Sequence, residues 1–374
     1  MIGYLVSLII FTASYALFSL GLNLQWGFTG LINFGHVAFM TIGAYTTVLL
    51  SLAGVPLLLA TLAGAVLAAL LGLMIGFSTL RLREDYLAIV TIGVSEVVRL
   101  IALNEEWLTR GSRGVFNYPL PLDWLTRPTL PTRLGMIGLW TVLFVLAGWQ
   151  LWKWMKRRVK QLGHKGTEPE QQVEYIARLL CGMAGFIFGV VLCVVGAIAL
   201  YDYSYKAGLM LILVSVLALV YWRLEVLTRS PWGRVLKAIR EDEEVAKALG
   251  KNVFWYKLQA FMLGGAIAGI AGAFYAWDLS FINPDGFIPL LTFQSWTIVV
   301  LGGAGNNAGT LLGAAIFWLY YSVTRFALPA VLPWLREDQL GALRIMVIGL
   351  LLMVLMMARP QGILGKKEEL TLGR

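Results

Sequence analysis

Residues Leu57–Leu80 read LLLATLAGAVLAALLGLMIGFSTL, a run without a single charged side chain. About 20 apolar residues are enough for a helix to cross the hydrocarbon core of a bilayer. Gly135–Trp152 and Ile176–Leu200 are apolar runs of the same kind. In lipid every backbone polar group needs a partner inside the protein, so such runs are read as helices. Around these three, hydropathy places further spans near residues 3–24, 34–53, 86–103, 206–223, 255–277, 291–303, 307–327 and 341–358. The span at 291–303 is short enough to be half a crossing. The expected fold is an all-α, polytopic membrane bundle of about ten transmembrane helices.

Composition agrees. The 374 residues are 59% hydrophobic and 14% charged, against about 25% charged in a soluble domain. Forty Gly suit close helix contact in lipid, and 14 Trp suit interfacial belts. The net charge of +9 sits in short inter-helix segments and is not a nucleic-acid footprint. Cys181 and Cys193 lie about 18 Å apart along one expected helix, beyond the reach of a disulfide within it. They read as small apolar fillers. Met1–Leu24 lacks a basic leader and a cleavage site, so it reads as a retained first helix.

Lysine and arginine set the expected orientation. Lys153, Lys156, Arg157, Arg158, Lys160 and Lys165 fall together without an acid, and Arg223–Lys251 is rich in both signs of charge. These segments and the 359–374 tail, with Lys366 and Lys367, are placed in the cytoplasm. Parity then gives one transmembrane domain over 1–358. It has an external loop at 104–134, a cytoplasmic loop at 153–175 and a cytoplasmic helical loop at 224–254. The external loop carries Arg110, Arg113, Arg127 and Arg133, an exception to the charge rule. The 153–175 loop, basic first and then acidic, reads as a solvated linker, with contact to anionic lipid or a partner as the alternative.

Two glycine-rich interruptions stand at matching places. Gly27-Phe-Thr-Gly30 with Asn33-Phe-Gly35 breaks one apolar stretch, and Gly302-Gly-Ala-Gly305-Asn306-Asn307 breaks another. Interrupted segments in corresponding positions point to a transport path. Each is also readable as a tight turn in which Asn caps the next helix. Broken or re-entrant segments are therefore expected near 27–36 and 302–307. Asn23, Gln25, Asn33, His36, Thr91, Glu96 and Asn306 are candidates to line the path. His36 reads equally as a hydrogen-bonded structural histidine, and Glu96 as half of an i,i+3 pair with Arg99. Asp85 reads as a cap for the span that follows it. Gly265-x-x-x-Gly269 with Gly272, and Gly185-x-x-x-Gly189, read as packing motifs.

The polar segment Ser230-Pro-Trp-Gly-Arg-Val-Leu-Lys-Ala-Ile-Arg240-Glu-Asp-Glu-Glu-Val-Ala-Lys-Ala-Leu-Gly250 carries the mechanism. Pro231 after Ser230 reads as a helix start. Glu241, Asp242, Glu243 and Glu244 open a second short run, and Lys247 and Lys251 close it, an order that suits the helix dipole. Gly250 is placed for a left-handed cap. Val245, Ala246, Ala248 and Leu249 give it an apolar side for docking into a partner, or for lying on lipid headgroups.

Glu244-Val-Ala-Lys-Ala-Leu-Gly250 resembles the Glu-Ala-Ala-x-x-x-Gly signature of ATP-binding-cassette (ABC) importer permeases, with Val245 in place of the first Ala. Asn23–Phe39, Arg81–Gly93, Gly233–Ala260 and Val299–Asn306 with Arg359-Pro-Gln-Gly362 resemble the LivM-type permeases of branched-chain and neutral amino acid importers. The resemblance implies a non-catalytic subunit paired with a second, LivH-like permease. It also implies two ABC ATPase subunits that hold ATP and Mg, and a periplasmic substrate-binding protein, in a bacterial inner membrane. Arg240, Glu241, Glu244, Ala246 and Gly250 would form the ATPase-coupling helix. No Gly-x-x-x-x-Gly-Lys-Ser/Thr loop occurs in the sequence. A urea or sugar ABC permease is the alternative within the resemblance. An ion-coupled transporter would need mid-span carboxylates, and an intramembrane enzyme would need clustered ligands or a nucleophile, and this sequence has few of either.

Overall fold

A computed structural model describes residues 2–82, 84–123, 125, 128–162, 189–358 and 361–365. The helices are α1 (Ile2–Leu22), α2 (Val37–Leu52), α3 (Leu57–Thr79), α4 (Glu84–Asn104), α5 (Leu130–Leu162), α6 (Gly189–Tyr201) and α7 (Tyr205–Arg229). They continue as α8 (Pro231–Glu241), α9 (Glu243–Ala248), α10 (Val253–Leu279), α11 (Leu290–Gly302), α12 (Asn307–Val331) and α13 (Glu337–Ala358). Among the described residues nine helical stretches are long and apolar enough to cross a bilayer, and α2 and the described part of α6 are shorter apolar helices. The protein is a polytopic all-α membrane bundle.

Several helix ends differ from those read in the sequence. α5 starts at Leu130 instead of near 135, because Pro131 in a first turn has no N–H to leave unbonded. It then runs on through the basic cluster to Leu162, so the first part of the expected 153–175 loop is helical. Cations at a helix C-terminus complement its dipole. α7 extends to Arg229 and α10 begins at Val253, which shortens the polar connection expected over 224–254. The expected 104–134 loop contains a helical turn at Glu106–Thr109, and its strand Val115–Phe116 pairs antiparallel with Phe281–Ile282. Hydropathy gives no signal for that pairing. Cys181, Gly185 and the side chain of Asp85 lie outside the described residues.

The chain divides into two compact units, Met1–Ile9 with Leu122–Ala218, and Ile10–Pro121 with Leu219–Arg374. In the smaller unit Trp140 is fully buried. Its indole N–H donates to the Cys193 carbonyl at 3.0 Å, and its ring lies where a side chain on Gly196 would stand.

The larger unit is built on a glycine-mediated trio of α2, α3 and α10. A Cβ on Gly43 would stand 2.1 Å from the Gly269 carbonyl oxygen, and one on Gly272 would stand 2.1 Å from the Met40 carbonyl oxygen. Gly269 faces Ala68 and Gly64 of α3, and Gly265 faces Phe39 and Ala68. Backbones can approach this closely only where both faces lack side chains, and in lipid such packing replaces the hydrophobic drive. α11 and α12 meet likewise: a Cβ on Gly302 would stand 2.0 Å from the Gly309 carbonyl oxygen. Gly43→Val is therefore expected to lower stability by roughly 1–3 kcal/mol or more through overpacking. Gly93→Ala, whose Cβ would meet nothing within 4 Å, is expected to leave it unchanged. Thermal unfolding in detergent checks both, and a tolerated Gly43→Val would contradict the close-packed trio.

Candidate functional site

The two interruptions read from the sequence come together. After α1 the chain winds through a π-helical turn, Asn23–Gly27, and then runs irregularly to α2. π turns cluster at functional positions. The second interruption lies between α11 and α12, with Gly303 at φ 112 and Gly305 at φ 77. Only glycine adopts such values readily. A Cβ on Gly27 would stand 2.4 Å from the Gly305 nitrogen, so bare backbone from each break touches the other.

Side-chain amides join them. Asn23, fully buried, accepts from the Gly305 N–H at 2.9 Å and donates to the Asn307 side-chain oxygen at 3.2 Å. Gln25 donates to the Phe261 carbonyl at 2.9 Å and accepts from Asn33 at 2.8 Å. Asn33 accepts from the Gly35 N–H at 2.9 Å, and its carbonyl accepts from the Trp296 indole at 3.1 Å. Asn33 therefore shapes the break and does not cap α2. The first N–H of α2, on Val37, goes instead to Thr292 Oγ1 of α11 at 3.0 Å. Asn306 does cap its helix, accepting from the Gly309 N–H at 3.2 Å. Its own amide donates to the Leu364 carbonyl at 2.8 Å. The chain after α13 folds back here, with Ile363 and Leu364 N–H groups on the Leu301 and Gly302 carbonyls.

The remaining path candidates sit around this seam or away from it. Thr91 of α4 accepts from the Phe34 N–H at 3.1 Å and is buried against the first break. His36 is fully buried, with Nε2 at 3.2 Å from the Phe18 carbonyl and its ring 4.7 Å from that of Phe18. Glu96 is elsewhere. It pairs with Arg99, whose guanidinium also reaches Asp285 at 3.1 Å, beside the paired strands. The sequence reading named Asn307 only within the second interruption and did not pick out Thr292, Trp296 or Glu225. Glu225, the one acid in the largely apolar α7, was the legible signal among them. Its carboxylate accepts from Asn307 at 3.2 Å.

The polar segment lies against the same seam. Ser230 is extended and Pro231 opens α8; Leu236 and Ile239 are buried. Asp242 then caps α9 by accepting from the Val245 N–H at 3.0 Å, and Gly250 ends it at φ 74. Ala246 of α9 packs with Ile239 and Val253 in a small core. Val245 and Leu249 remain 54% and 73% exposed, and the Glu244 side chain 83%. Burial works to raise the Glu243 carboxyl. Hydrogen bonds from Lys257 and Lys247 outweigh it and hold the group below the usual carboxylate range. Lys257 thereby ties α9 to the start of α10. Arg240 at the end of α8 donates to the Gly27 carbonyl, and its Nη1 lies where a Cβ on Gly305 would come within 2.8 Å. One guanidinium thus meets both breaks. Glu241 is exposed.

The family model described as the permease component of branched-chain amino acid transport systems matches residues 4–157 and 161–356. The high-affinity branched-chain amino acid permease protein LivM of Salmonella typhimurium is 28% identical over 354 residues, covering 94% of this chain and 68% of that protein. The probable LivM of Methanocaldococcus jannaschii is 26% identical over 365 residues, covering 96% of this chain and 92% of that protein. LivH of Escherichia coli is 30% identical over 140 residues, covering 37% of this chain and 41% of that protein. No solved structure matches the chain. With two glycine breaks laced together by amides, and a capped polar helix pair anchored to them, this multi-pass membrane protein belongs to the branched-chain amino acid permease family of ABC importers.

Proposed function

We propose that this chain is the membrane-spanning subunit through which branched-chain or other neutral amino acids enter the cytoplasm, driven by ATP hydrolysed on partner subunits. The partners are a LivH-like permease, two ABC ATPases carrying ATP and Mg, and a periplasmic binding protein, in a bacterial inner membrane. The chain itself catalyses nothing.

One observation carries this reading. α8 and α9 bury one side against their own protein and leave Glu244, Val245 and Leu249 outward, while Arg240 reaches the breaks from their inner end. An exposed apolar pair beside a charge on a capped, tethered helix suits a socket in a second protein. A helix meant only to lie on headgroups has no need of the internal tether. The assignment of ends is self-consistent. α8, α9, both breaks and residues 361–365 share one end of the bundle, taken as cytoplasmic from its lysines and arginines. The Glu106–Thr109 turn and the paired strands share the other.

Arg240, Glu241, Glu244, Ala246 and Gly250 are the coupling residues. Their work is mechanical. Ala246 seats α9 on α8, Gly250 turns the chain into α10, Glu244 and Glu241 present charge to the ATPase, and Arg240 passes displacement inward. Asn23, Gln25, Asn33, Thr91 and Asn306 shape the path near the seam, and His36 braces it from α2. Glu96 belongs to the opposite, external end.

In vesicles holding the full complex, labelled leucine, alanine or proline should accumulate with ATP and urea should not; urea uptake alone would contradict the substrate class. Glu244→Ala with Gly250→Val should leave the complex assembled and hydrolysing ATP while uptake falls at least roughly tenfold, the worth of about 1.4 kcal/mol of coupling. Unchanged uptake would remove the coupling assignment. Purified alone, the chain should hydrolyse no ATP, and measurable turnover would contradict the subunit reading.

A further inference from the structure

Glu225 lies in the last turns of α7, which joins α8 through Ser230. Its carboxylate holds an ion pair with Arg229 and accepts from Asn307 at 3.2 Å. Asn307 is almost fully buried, opens α12, and accepts in turn from Asn23 at 3.2 Å. Asn23 accepts from the Gly305 N–H at 2.9 Å.

The chemistry at the two ends fixes the direction of this chain. An ionised carboxylate only accepts, so Asn307 turns its NH₂ toward Glu225 and its oxygen toward Asn23. A backbone N–H only donates, so Asn23 turns its oxygen toward Gly305 and its NH₂ toward Asn307. Neither amide can flip without setting two acceptors, or two donors, against each other in a buried place. Such mismatches are most costly where the local dielectric is low.

We infer that Glu225 and Asn307 are positioning residues for coupling: with Asn23 they form a polarised relay that, together with Arg240, clamps the paired breaks to the coupling segment from both of its flanks. Glu225 grips from just before α8, through Asn307, and Arg240 grips from its far end, through Gly27. A segment held at one point can pivot without moving its load; held at two, its displacement is imposed on both breaks. This rests on the coupling role proposed above for residues 231–250.

The test exchanges donor and acceptor in the reconstituted complex and reads leucine taken up per ATP hydrolysed. Asn307→Asp is nearly isosteric, and an acid in the first turn of α12 suits that helix. It sets two carboxylates face to face, and uptake per ATP should fall roughly tenfold, as expected for breaking a hydrogen bond to a charged group. Glu225→Gln alone keeps an acceptor for Asn307 and should remain coupled. The double variant E225Q/N307D restores complementarity with the roles reversed, Gln donating and Asp accepting, and should recover uptake per ATP. Arg229→Ala, which leaves the relay intact, should couple normally.

Asn307→Asp that couples normally, or a double variant no better than the single one, would overturn the clamp. Uptake per ATP is read on equal amounts of assembled complex, so a variant that merely folds less well lowers both terms and leaves the ratio unchanged. Glu244→Ala with Gly250→Val runs alongside. If that pair uncouples and Asn307→Asp does not, the clamp fails and the coupling segment stands. If neither uncouples, both fail.

Discussion

A helix that stops inside a membrane leaves backbone donors and acceptors that only protein can satisfy. This constraint organises the larger unit. Its two breaks answer it jointly, one supplying amide side chains and the other bare glycine backbone. Asn23 alone serves the Gly305 N–H and Asn307 together. Where side chains would intervene, Gly27 and Gly305 have none and the backbones touch. The polar residues that look like a lined path in one dimension are, in three, first of all the internal solvent of two interrupted helices.

That arrangement has a mechanical consequence. Interrupted helices are natural hinges, but these two are joined by two hydrogen bonds of Asn23, which oppose their separate motion. The segment proposed to couple meets the breaks through Arg240 and, by way of Asn307, through Glu225, a guanidinium fork and a carboxylate. The trio of α2, α3 and α10, locked by contacts such as Gly43 on Gly269, supplies a frame against which such motion is possible. In the proposed role the exposed Val245 and Leu249 are the handle, seated on the small core of Ala246, Ile239 and Val253.

Much of this was legible in the sequence. Span positions follow from hydropathy because lipid permits little else. Pro231 and Gly250 mark the ends of the polar segment because each has a backbone preference few residues share. The pairing of the two breaks could be suspected from their matching places. What sequence could not give was partnership across the chain. Asn33 resembles a helix cap, yet α2 is capped by Thr292, some 255 positions away. Glu96 was readable as a path residue or as the i,i+3 partner of Arg99; the pair forms, but the reach of Arg99 to Asp285, far along the chain, had no signal. Asn307 was read only as part of the second interruption, whereas of the adjacent asparagines Asn306 caps the helix and Asn307 ties it to Asn23 and Glu225. The fold-back of residues 361–365 has no hydropathic signature, since its own contribution to these bonds is backbone alone.

The central claim is that α8 and α9 are the inward-facing handle of a motor-driven transporter. It is tested most directly by placing a single cysteine at Leu249→Cys, with Cys181 and Cys193 both replaced by serine, and treating membranes with a maleimide that cannot cross them. Modification in inside-out vesicles only, and protection when the ATPase subunits are bound, is the predicted result. Modification from the outer face, or labelling indifferent to the ATPases, would contradict the account.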